Sequence, residues 1–247
     1  MGIDDPEVVT RALDLGYRHL DTAQIYGNEA VVGDGLAASD AAREDVTLAT
    51  KLWVDDLGPD RVRESTEASL ARLGVDAVDL LYVHRPRETY DPEATLPALA
   101  NLVDDGVVGG VAVSNFTESQ LATATDVLAA HGGEIAAHQT EYHPLFRRPN
   151  LLDHAREHGY PLVAYSPLSN GRAGEISAVA AVADRYDATP EAVCLAWLTG
   201  TESVVTIPKA SGVDHLRANL AAPDLDLDDE AVARIEAVDR EVELFPE

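Results

Sequence analysis

Seven short runs of β-branched and apolar residues recur along this chain, lying between segments with helical signals. They are YRHLDTA (17–23), VTLATK (46–51), VDLLYVH (78–84), GGVAVS (109–114), IAAHQT (135–140), PLVAYS (161–166) and SVVTIPK (203–209). Their apolar residues do not alternate strictly, which predicts strands covered on both faces, as parallel sheets require. The helix signals between them are explicit. Asp5-Pro6-Glu7 supplies an N-cap, a proline at the first helical position and an acid in the first turn, and Gly16 closes that helix. Pro59 and Gly74 bracket a second helix, and Asp91-Pro92-Glu93 and Gly106 a third. Thr117 with Gln120 forms a capping box. Further helices are expected from Ile176 to about Tyr186, after Thr189-Pro190 and after Asp228. Strand and helix alternating through short links predict a parallel α/β fold, either a barrel or a doubly wound sheet.

The strand ends discriminate between the two. Read in order, they carry Asp21, Lys51, His84, Ser114 with Asn115, Gln139, Tyr165 with Ser166, and Lys209. An open sheet binds its ligand mainly at one switch point, whereas a barrel gathers every strand end around one mouth. Polar groups at all seven ends favour a barrel with its site at the C-terminal face. No linker or low-complexity tract interrupts the pattern, so one domain over residues 1–247 is expected.

Charge narrows the partners. Forty-four acids against 18 bases give a net charge of −26 and a pI near 4.4. Nucleic acid and anionic membranes would be repelled. Such a surface suits a very salty, halophilic cytoplasm, where screening removes self-repulsion. The start, MGIDDPEVV, has neither the basic nor the apolar region of a secretion signal. No apolar run approaches the ~20 residues that span a bilayer. The expectation is a soluble cytoplasmic monomer. The single cysteine, Cys194, excludes an internal disulfide, lies in a helical pattern and reads as core; no metal site is indicated. Lysine is nearly absent: only Lys51 and Lys209 occur, and each ends a strand run. A chain that avoids surface lysine yet keeps these two points to a task for them.

Gly33-Asp34-Gly35-Leu36-Ala37-Ala38 matches a dinucleotide-binding pattern, but it follows the helical NEAVV rather than a strand, so that reading is rejected. Residues 16–33, GYRHLDTAQIYGNEAVVG, resemble the long first signature of the aldo-keto reductases. The resemblance continues through ATKLW, LLYVHRP, VAVSNF, HQTEYHP, AYSPL and IPKA, in order, over nearly the whole chain. It implies a (β/α)8 barrel that reduces carbonyls with a nicotinamide cofactor, and a catalytic set of Asp21, Tyr26, Lys51 and His84. Those residue types suit the chemistry. A phenol, with a pKa of ~10, gives up a proton reluctantly at neutral pH, and an adjacent ammonium stabilises its phenolate. Asp21 would keep Lys51 charged and placed, and His84 could polarise the substrate oxygen. Taken singly, each has a plainer explanation: a turn cap, a surface tyrosine, a surface charge, a packed histidine.

The resemblance further implies that Ser114, Asn115 and Gln139 hold the nicotinamide carboxamide and that Tyr165 stacks on its ring. Ser166 and Leu168 would meet the pyrophosphate, and Lys209 the adenosine end. Two departures stand out. The family's adenosine-phosphate site has Lys-Ser, an arginine and Glu-Asn, whereas KASGVDHLRAN offers Lys209, Ala210, His215, Ala218 and Asn219, with Ser211 as a possible substitute. The cofactor is therefore expected to be NADP(H), with NAD(H) as the alternative, because imidazole carries only part of a charge at neutral pH. The second departure is at the start, where the chain runs straight into the helix that follows the family's first strand. The first β-strand is expected to be missing, leaving open edges on the first and seventh visible strands. The loops after Pro86 and Leu168 are short, implying a tolerant pocket for small aldehydes, ketones or keto-sugars. His138 and His143 are read as structural or exposed. Two other readings are a lysine Schiff-base barrel of aldolase type and a non-catalytic cofactor-binding barrel.

Overall fold

Asp5 caps the first helix in the computed structural model of the protein, which describes residues 2–246. Its carboxylate accepts from the Glu7 amide, Pro6 opens α1 (Pro6–Leu15), and Gly16 closes it at a φ of 117°. Among the described residues the chain divides into two compact units, with the boundary between His138 and Gln139.

The first unit carries four strands: β1 (His19–Asp21), β2 (Thr47–Leu52), β3 (Val78–Val83) and β4 (Val108–Ser114). They pair in chain order and in parallel. Asp21 stands opposite Ala49, and Lys51 opposite Tyr82. α2 (Glu29–Ala37), α3 (Pro59–Leu73) and α4 (Pro92–Asp104) connect them, and α5 (Glu118–Ala130) follows β4. Their apolar faces supply the core with Val62, Leu73, Leu96, Leu99, Leu121 and Leu128. Thr117 and Gln120 form the expected capping box on α5.

The rejected dinucleotide pattern has a packing explanation. Gly33 and Gly35 lie inside α2, where a Cβ on Gly33 would sit 2.1 Å from the Leu73 carbonyl oxygen and one on Gly35 2.5 Å from Val9 Cβ. The glycines let α2 close onto α3 and α1. Alanine in an open helix gains about 1 kcal/mol over glycine, but here the obstacle is backbone and cannot rotate away. Gly33→Ala should therefore lower stability by about 1–3 kcal/mol. A urea midpoint that rises would show that α2 and α3 can separate at no cost.

The second unit holds β6 (Leu162–Tyr165) and β7 (Val204–Thr206), parallel and in register from Leu162 opposite Val204. β5 (Ala137–Glu141) straddles the boundary. α6 (Pro149–His158), α7 (Ser177–Tyr186), α8 (Pro190–Gly200), α9 (Val213–Ala221) and α10 (Asp229–Glu236) complete it. The signals at Thr189-Pro190 and Asp228 cap α8 and α10 as expected. α6 and α9 were not anticipated. α6 carries the usual marks, Pro149 at its start and Gly159 at its end; α9 buries only Leu216, so its apolar pattern is faint. Cys194 is fully buried in α8, and burial pushes its thiol up to about 12. Among the described residues no helix is long and apolar enough to cross a membrane, and no cluster of candidate metal ligands occurs.

Candidate active site

Lys51 is the centre of the first unit's strand ends. β2 is covered on both sides, so its side chain is wholly buried, and the Asp21 side chain is 9% exposed. Lys51 Nζ donates to Asp21 Oδ1 at 2.5 Å and to the Thr22 carbonyl at 2.9 Å. Burial pulls the ammonium below its ordinary range, and Asp21 offsets part of that. Lys51 Nζ also lies 5.4 Å from the centroids of the Tyr26 and Tyr82 rings.

Tyr26 sits on the turn Gln24–Tyr26 after β1. That turn is anchored by side chains. Thr22 donates through Oγ1 to Asn28 Oδ1 at 2.7 Å, and Asn28 Nδ2 donates to the Ile3 carbonyl at 3.0 Å. Gln24 Oε1 accepts from the Trp53 amide at 2.7 Å, joining the turn to the residue two beyond Lys51. Tyr26 and Lys51 are thus held by one network.

His84, directly after β3, meets the Tyr26 ring edge-on at 5.6 Å and the Trp53 ring at 5.0 Å. Burial and then the nearby Lys51 charge lower its pKa to about 3. It is therefore a neutral imidazole at physiological pH, able to donate one N–H without bringing a second cation. Its Nδ1 is buried with no hydrogen-bond partner among the described residues. Since an unfolded histidine titrates near ~6.5, the unfolded chain binds the proton that the folded chain refuses between pH ~6.5 and about 3. The stability tied to neutral His84 is complete above that window and falls as pH drops through it, at no more than ~1.4 kcal/mol per pH unit. His84→Asn should flatten the acid side of the stability profile, measured by denaturation at pH 7, 6, 5 and 4. An unchanged profile would place the imidazole in a more polar setting.

Ser114 is buried at the end of β4, and Asn115 follows at a φ of 61°. Asn115 Nδ2 donates to the His84 carbonyl and to Ser114 Oγ, each at 3.0 Å. The first unit therefore brings Asp21, Tyr26, Lys51, His84, Ser114 and Asn115 into one connected cluster. Trp53, Thr22, Gln24 and Asn28 were missing from the sequence reading. Trp53 stood in the quoted ATKLW, but nothing local indicates that its ring turns toward His84.

In the second unit Gln139 is buried in β5, and Tyr165 ends β6. Past Tyr165 the chain turns sharply: Ser166, Ser169 and Asn170 all adopt left-handed backbone, with φ of 54°, 50° and 56°. The Ser169 amide donates to the Ser166 carbonyl at 2.9 Å, and the Gly171 amide to Leu168 at 3.0 Å. Ser169 Oγ is fully buried with no hydrogen-bond partner among the described residues. These amide bonds close the turn on itself. Lys209 and Ser211 are exposed ahead of α9, with Gly212 as its N-cap. His215 and Asn219, one turn apart, share a face of that helix.

Residues 4–240 match the sequence profile of the Aldo/keto reductase family. Methylglyoxal reductase DkgB of Salmonella typhi is 36% identical over 237 residues, 94% of this chain and 88% of that protein. Among solved structures, an aldo/keto reductase from Brucella melitensis superposes with a TM-score of 0.87 at 31% identity, covering 95% of this chain and 88% of the other. An aldose reductase from Giardia lamblia does so with a TM-score of 0.88 at 28% identity, covering 96% and 90%. The fold is the (β/α)8 class expected from sequence, with seven strands among the described residues.

Proposed function

Because the chain belongs to the aldo/keto reductase family and is thus an oxidoreductase acting on carbonyl and alcohol groups, we propose that it reduces small aldehydes, ketones or keto-sugars to alcohols, with NADP(H), or alternatively NAD(H), as cofactor and Tyr26 as proton donor. The observation that carries this reading is the ammonium of Lys51, wholly buried, held by Asp21 and lying 5.4 Å from the Tyr26 ring. The relatives named for methylglyoxal and for aldoses favour small, polar carbonyl compounds.

When bound, the nicotinamide supplies the hydride. The chain's own residues do the rest. Neutral His84 donates a hydrogen bond to the substrate oxygen and draws charge onto it as the alkoxide develops. Tyr26 transfers its phenolic proton to that oxygen. Lys51 stabilises the phenolate left behind, and Asp21 with the Thr22 carbonyl keeps the ammonium oriented. In the first unit Ser114 and Asn115 would hold the carboxamide. In the second, Gln139 would share that task, Tyr165 would stack on the ring, Ser166 and Leu168 would meet the pyrophosphate, and Lys209, Ser211, His215 and Asn219 would face the adenosine end.

The burial of Lys51 also bears on the Schiff-base alternative. An amine nucleophile needs open access to a carbonyl carbon, and this one has no exposed surface. The test is oxidation of NADPH and of NADH by the wild-type protein in concentrated salt with a panel including methylglyoxal, aldoses and simple ketones. Aldehyde-dependent oxidation of either cofactor is expected; none with any substrate would refute the reading.

A further inference from the structure

Glu141 ends β5 with its carboxylate only 3% exposed. Burying a carboxylate is costly unless its oxygens are hydrogen-bonded, and here the donors come from the far end of the chain. Oε1 accepts from the Leu244 amide at 2.7 Å, and Oε2 from the Phe245 amide at 3.0 Å. Oε1 also meets His143 Nε2 at 2.8 Å. The Leu145 amide donates to His143 Nδ1 at 3.2 Å, so Nδ1 is the acceptor and Nε2 carries the proton toward Glu141. Glu141 thus gathers three N–H groups.

Further contacts flank this clasp. The Val242 amide donates to the Leu145 carbonyl at 2.7 Å. Arg147 donates to the Glu236 and Val238 carbonyls at 2.6 and 2.7 Å, and Arg148 pairs with Glu241 at 2.7 Å. Residues 141–148 therefore form a platform for residues 236–245, with Glu141 as its buried centre. Phe245, fixed through its own amide, presents its ring to Tyr165 in a T-shaped contact at 5.9 Å and 74°. The Tyr142 amide reaches the Tyr165 carbonyl from the Glu141 side at 3.4 Å.

We infer that Glu141 is a positioning residue for cofactor binding: by clasping the Leu244 and Phe245 amides it holds Phe245 against Tyr165 and sets the plane of that ring. The functional half rests on the reading that Tyr165 stacks on the nicotinamide. A tail stapled down for stability alone would leave cofactor affinity unchanged when the staple is removed.

Two variants of the 247-residue chain separate these cases. Glu141→Gln keeps the shape but turns an amide N–H toward a donor and removes the charge. Phe245→Ala keeps the backbone bonds and removes the ring. Hydrogen exchange at Val242, Leu244 and Phe245 should accelerate about tenfold or more in Glu141→Gln and stay near wild type in Phe245→Ala. The Kd for NADP(H), read by cofactor fluorescence, should weaken about three- to tenfold in both. Unchanged tail exchange in Glu141→Gln overturns the clasp, and faster exchange with an unchanged Kd overturns its link to Tyr165. If the glutamine variant does not fold, Phe245→Ala alone decides: an unchanged Kd refutes the link and a weakened one supports it. Wild-type protein that binds neither NADP(H) nor NAD(H) refutes the reductase reading itself, and this result is distinct because no substitution is involved.

Discussion

Tyr26→Phe should lower turnover by about 10²–10⁴-fold, the range expected when a general acid is removed, while NADP(H) affinity stays close to wild type. The substitution deletes one oxygen and keeps the ring, so the edge contact with His84 and the position over Lys51 remain. The loss should fall on kcat rather than on KM, because the proton is needed only as the alkoxide forms. A phenylalanine variant with near-normal turnover would remove Tyr26 from the chemistry and leave His84 as the nearest alternative donor.

The second large effect concerns the Asp21–Lys51 pair. Lys51→Met fills a similar volume without the ammonium, and its turnover should fall by about 10²-fold or more, since the charge 5.4 Å from the Tyr26 ring that stabilises its phenolate is lost. The reverse deletion acts mainly on folding. Asp21→Asn leaves a wholly buried ammonium facing a neutral amide, and breaking a buried pair from one side costs about 3–5 kcal/mol. Lys51→Met leaves the Asp21 carboxylate unpaired in turn, but with 9% exposure it can reach solvent that the wholly buried ammonium cannot, so Asp21→Asn should be the less stable variant, although both are slow. Denaturant midpoints measured at one fixed salt concentration check the order. Equal stability of the two would mean that the Thr22 carbonyl suffices to hold the ammonium.

Local chemistry made much of this legible. The strand runs are apolar, and where a cap signal stands between them, as at Asp5-Pro6, Thr117-Gln120 and Thr189-Pro190, the structure contains the helix it marks. The ionisable strand ends were conspicuous because lysine is so scarce: Lys51 could not be dismissed as one surface charge among many. Long-range contacts were not legible. The clasp joins Glu141 to amides more than a hundred residues away through backbone atoms, which leave no side-chain signal at the far end. Gly33 and Gly35 mimicked a nucleotide motif because close helix packing and close phosphate approach demand the same missing Cβ. Trp53 and Gln24 act through orientation, and residue type alone does not specify it. His143 was read as structural or exposed; it is buried, and its neighbour's carboxylate explains why.

In the proposed reaction hydride reaches the substrate carbon from the nicotinamide while this chain supplies the proton. The most direct measurement follows the label. Wild-type protein in concentrated salt, given an aldehyde and NADPH deuterated at the transferable C4 position in ordinary water, should yield an alcohol with deuterium on its carbinol carbon. NADH deuterated in the same way covers the alternative cofactor. Alcohol formed without carbon-bound deuterium from either cofactor, or no alcohol at all, would contradict the account.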